Sequence, residues 1–152
     1  MNSKPGSDKY DPVAIVWQKK FLELFEKDSA TEAYALFTSG GWSDKGQHLI
    51  LFDGKSARYK GVGRNQKSMT LEKSLSQSEW TAIQRQVRQA TDLENSIRVV
   101  LDGLNFEYVA MKKVDGKVKT IKRLFVNNPD HEELPKHHSL FAVFTDQANG
   151  TR

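Results

Sequence analysis

Cysteine is absent from all 152 residues, which excludes disulfides, thiolate zinc sites and cysteine nucleophiles. Apolar runs are short, and none nears the roughly 18 residues of a membrane helix. The opening stretch, MNSKPGSDKYDP, is polar and lacks the apolar core of a signal peptide. The chain as given is therefore expected in the cytoplasm, or in the periplasm or outside the cell if a signal peptide was removed. Also missing is any motif that names a reaction. No serine sits in a nucleophile elbow, and the carboxylates are scattered over predicted turns and helix surfaces.

What is present suffices for a folded domain. Hydrophobic residues make up 38% and charged residues 28%, too apolar in the periodic segments for wholesale disorder. Asp11-Pro12 reads as an N-cap with proline at the first helical position. Val13, Trp17, Phe21, Leu24 and Phe25 then recur at helical spacing, predicting a helix over about 12–27. EAYALFTSGGWSDKGQHLILFDGKSARYKGVG follows, with two apolar runs around a Gly/Ser/Asp loop, then Asp53-Gly54 and a third run, an antiparallel meander. KSMTLEKSL offers a fourth strand. Ser76 and Glu79 have capping-box spacing with Leu75 placed to staple on Trp80, opening a second helix whose inward stripe is Trp80, Ile83, Val87 and Ala90.

Three more strands are expected at Ile97–Leu101, Leu104–Val114 and Lys117–Val126, joined by tight turns at Asp102-Gly103 and Asp115-Gly116. A last helix is expected over about 136–146, after Pro135, with Leu140, Phe141 and Phe144 buried. The expected class is α+β, an antiparallel β-meander sheet with about three helices packed mainly on one face and the other open to water. Residues 12–147 form the expected single domain, with disordered ends at 1–11 and 148–152.

Candidate chemistry is sparse. HEELPKHH offers His131, Glu132, Glu133, His137 and His138, but the spacing of six and the intervening Pro135 do not match the zinc-protease pattern, so neither a metal nor a cofactor is expected. YKGVGRN has Gly61 and Gly63 near Arg64 without the rest of a phosphate loop, and reads as a strand end. An enzyme built from separated residues would draw on His48 and the 131–138 histidines.

Charge is more telling. Lys112, Lys113, Lys117, Lys119, Lys122 and Arg123 form a basic ribbon, and Lys55, Arg58, Lys60, Arg64 and Lys67 form a second basic run. With Tyr59, Phe106 and Tyr108 nearby, these strands could bind nucleic acid. The ribbon reads rather as a wet face that guards the sheet and steers an acidic partner, with nucleic acid the alternative. In TSGGWSDKGQ, Trp42 stands among small and polar residues. It is a candidate anchor for a protein partner, with Ser43, Asp44 and Lys45 supplying polar contacts.

The progression SGGW, LILFDG, SLSQSEWTAIQRQV and VVLDGLNFEYV, over Ser39 to Val126, loosely resembles small bacterial inhibitor-type and toxin-immunity-type α+β proteins such as emfourin-like protease inhibitors. The resemblance implies a compact, non-catalytic protein that binds and blocks another protein through loops and an exposed sheet face. It transfers no site residue. The expected site is thus Trp42 to Lys45 plus the basic ribbon, with a protein partner expected and nucleic acid the alternative.

Overall fold

Helix α1 (Pro12–Lys27) begins at the proline that fixes its first turn, and it buries Trp17, Phe21 and Phe25. The computed structural model describes residues 12–38, 46–62, 69–97, 105–127 and 134–149. After α1 the Asp28 carboxylate accepts the Ala30 N–H at 2.8 Å, a local turn that redirects the chain into strand β1 (Glu32–Thr38). Strands β2 (Gln47–Phe52), β3 (Ala57–Val62) and β4 (Met69–Ser74) follow as the expected antiparallel meander.

Helix α2 (Gln77–Ala90) carries the capping box its sequence announces. The Glu79 N–H donates to Ser76 Oγ at 3.1 Å, and the Ser76 N–H donates to Glu79 Oε1 at 2.8 Å. The short strand β5 (Ser96–Ile97), the long strands β6 (Asn105–Val114) and β7 (Lys117–Asn127), and helix α3 (Leu134–Asn149) complete the described elements. The β6–β7 turn has Asp115 at φ 54° and Gly116 at φ 79°, the two positive angles of a type I′ hairpin.

The seven strands lie in the order β4-β3-β2-β1-β6-β7-β5. β1 is thus central, with β2 on one side and β6 on the other, both antiparallel. Its alternate side chains supply two cores. Tyr34 and Leu36 join Ile50, Tyr59, Tyr108 and Leu124 beneath Trp80 and Ile83 of α2 and Leu140 and Phe144 of α3. Ala33, Ala35 and Phe37 join Leu49, Leu51 and Val109 beneath Trp17, Phe21 and Phe25 of α1.

Three details differ from the sequence-based expectation. The face expected to be wet is covered by α1, because β1 and β2 are apolar at successive positions and so need a cover on both sides. Ser96–Ile97 does not continue an antiparallel hairpin with β6. It runs parallel to the end of β7, against Val126 and Asn127, since β1 and β7 already occupy both edges of β6. The turn expected at Asp102-Gly103 lies outside the described residues. Finally, α3 starts two residues earlier than expected, with Pro135 in the first turn, where its missing N–H costs no helical bond.

Candidate functional site

Pairing and alternation sort the basic ribbon by face. Lys112, Lys117, Lys119 and Lys122 lie on the α2 side of the hairpin, whereas Lys113 and Arg123 lie on the α1 side, paired with Val118 and Val109. A β-bulge divides the two stretches. Ala110 pairs with Lys122 but Met111 pairs with Thr120, so Ile121 is the extra residue and stands 59% exposed.

Three of the six cations serve the fold. The Lys113 ammonium donates to the Asp28 carbonyl and lies 4.9 Å from the centre of the Phe25 ring, anchoring the hairpin to the end of α1. Lys122 donates to the Leu93 carbonyl at 2.7 Å and approaches that of Thr91 at 3.4 Å, placing a cation where α2 ends. Arg123 Nη1 lies 3.2 Å from Glu107 Oε2. Burial pushes the Glu107 carboxyl above its ordinary range despite that arginine and a hydrogen bond from Gln18.

The other three are placed differently. Lys112, Lys117 and Lys119 are exposed and form no ion pair among the described residues. Lys112 and Lys119 are cross-strand partners, directly opposite one another on the same face. Lys112 has Glu32 opposite it on β1, but the Glu32 carboxylate accepts the Tyr34 hydroxyl. The result is a basic tip, flanked by the apolar side chain of Ile121.

Two cations of the second basic run are paired with acids. Arg58 pairs with Asp28, and Lys60 lies 3.6 Å from Glu72. Arg64 and Lys67 lie outside the described residues, as do Trp42, Ser43, Asp44 and Lys45. Tyr59, Phe106 and Tyr108, the aromatics considered for base stacking, are all buried in the core beneath α2 and α3. His48 is buried against Tyr59, and the ring of His137 is buried with Nε2 3.2 Å from the Glu94 carbonyl. His138 is exposed. Among the described residues no three His, Asp or Glu side chains form a group that could hold a metal ion.

Sequence reasoning missed the groove at the base of the hairpin, of about 240 Å³, between α2 and strands β1, β6 and β7. Most of its residues are spread over four elements distant in sequence, which the β1–β6 pairing, the β6–β7 hairpin and the packing of α2 bring together. Arg88, which lies outside the inward stripe expected for α2, is on its rim. A second groove, of about 300 Å³, lies on the α1 side between Leu22, Val109 and Arg123.

These features define an α+β protein whose sheet has helices on both faces and which, among the described residues, presents a basic β-hairpin. Compared with known protein families, curated proteins and solved structures, the chain has no significant match.

Proposed function

We propose that this chain is a non-catalytic binding module that docks an acidic protein on the β6–β7 hairpin and blocks it by occlusion, as an immunity or inhibitor protein does. The observation that carries this reading is the placement of Lys112 opposite Lys119, with Lys117 on the same face and Ile121 beside them. Like charges directly opposite one another destabilise a hairpin. An acidic surface would offset that repulsion, the lysines would steer its approach, and Ile121 would supply apolar contact at the centre. Nucleic acid is disfavoured because Tyr59, Phe106 and Tyr108 are inside the core and offer no stacking surface.

Affinity capture from lysate of the source organism tests this, with and without nuclease, using the native chain and a Lys117→Glu/Lys119→Glu variant. One nuclease-resistant protein, lost in the variant and inhibited by the native chain in its own assay, is expected. Recovery that nuclease abolishes, or that the variant leaves unchanged, would reject the reading.

A further inference from the structure

The groove at the base of the hairpin has walls of Val87, Ala110 and Ile121, with the cations Arg88, Lys112 and Lys122, the acid Glu32, and Tyr108 also in its lining. Tyr108 is 1% exposed, and its hydroxyl has no hydrogen-bond partner among the described residues. Buried hydroxyls are normally bonded, because an unmade bond costs the full desolvation of the group. The neighbouring Tyr34 hydroxyl, by contrast, already donates to Glu32. Groove and hydroxyl therefore point to the same thing, an acceptor that comes from outside the described chain.

Size and chemistry narrow that acceptor. At about 240 Å³ the groove is smaller than the pockets of about 300–1,000 Å³ that hold cofactors and other organic ligands, yet it has room for one side chain. Lys122 is committed to the Leu93 carbonyl and the Glu32 carboxylate to the Tyr34 hydroxyl, but three cations outnumber that one acid. With Arg88 and Lys112 uncommitted among the described residues, the apolar walls and the buried O–H donor complement a carboxylate on a short apolar stem. We propose that the groove receives a glutamate side chain from an acidic segment of the protein partner. This rests on the protein-binding reading above and adds to it a recognition pocket that adjoins the hairpin tip, sharing Lys112 and Ile121 with it.

The test uses the ¹⁵N-labelled full chain titrated with a short, terminally blocked peptide alternating leucine with glutamate, with its glutamine counterpart, and with a single-stranded oligonucleotide. The acidic peptide should move the amide signals of Arg88, Ala110 and Lys122, and the glutamine peptide should not. Affinity should fall about tenfold in Tyr108→Phe, which removes only the hydroxyl, and further in Arg88→Glu. Lys19→Glu, on the α1 side, should bind as the native chain does. Equal binding of both peptides, or no groove signal with either, would overturn the pocket. Movement confined to Lys117 and Lys119 would overturn it while leaving the hairpin reading intact. Binding of the oligonucleotide alone would overturn both.

Discussion

The hydroxyl of Tyr59 lies 2.6 Å from Nδ1 of His48, and its ring reaches there by lying along its own strand over Gly61, the residue directly opposite His48. A Cβ at position 61 would stand 2.8 Å from Cζ of Tyr59, closer than real contacts allow. Gly61→Ala should therefore lower stability by about 1–3 kcal/mol through overpacking. In a Tyr59→Leu background most of that cost should vanish. Urea unfolding of the four members of the cycle measures the coupling, and a value near zero would contradict the steric account.

The two ends of α2 make a second pair of expectations. Ser76→Ala removes the acceptor for the Glu79 N–H and should cost about 1 kcal/mol. At the far end, Lys122→Met removes the cation that bonds the Leu93 carbonyl and should cost a similar amount, about 1 kcal/mol. Because the two sites share no partner, urea unfolding of the double variant should give the sum.

Acid titration should separate two carboxylates by sign. Burial raises the Asp28 pKa, but hydrogen bonds from Arg58 and the Ala30 N–H, with the Arg58 charge, bring it below 3.8 overall. Its stabilisation is thus present above 3.8 and lost as pH falls through the lower folded value. Glu107 is the reverse. Its pKa is raised from 4.5 by burial, so its contribution is present below 4.5 and lost as pH rises through the folded value. Urea unfolding from about pH 3 to about pH 7 should show a shallower acid limb in Asp28→Asn. In Glu107→Gln, stability relative to the native chain should improve as pH rises.

Lys119→Glu should affect stability and binding in opposite directions. It replaces a like-charge cross-strand pair with an opposite-charge pair at Lys112, which should stabilise the free protein by about 0.2–1 kcal/mol. The same change should weaken partner capture. A variant both less stable and equally competent would remove the reason for assigning a binding role to that lysine pair.

Local chemistry was legible where a short segment decides the outcome. Asp11-Pro12 placed the start of α1, Ser76 with Glu79 placed that of α2, and Asp115-Gly116 set the last hairpin, since each depends on residues within a turn of one another. Neighbourhood across the sheet was not legible. Nothing near β1 says that β6 will lie beside it, and hence nothing said that the groove would form. The basic ribbon was visible as a run of lysines, but alternation and the bulge at Ile121 divide it into cations tied to Asp28, Leu93 and Glu107 and cations turned outward. Hydrophobic patterning marked β1 and β2 as strands but did not reveal that α1 would cover their second face.

The central place of β1 also sets a schedule for making the protein. Its first neighbour, β2, ends at Phe52, whereas its second, β6, ends at Val114. At roughly 5–20 residues per second, a ribosome leaves one edge of β1 unpaired for several seconds after β2 has emerged. That edge carries Ala33 to Phe37, an apolar run with high strand propensity, and an unpaired edge of this kind is a template for wrong partners. Chains that stop between β4 and β6 should therefore be prone to aggregate, and arrival of β6 is the event that makes the nascent protein safe.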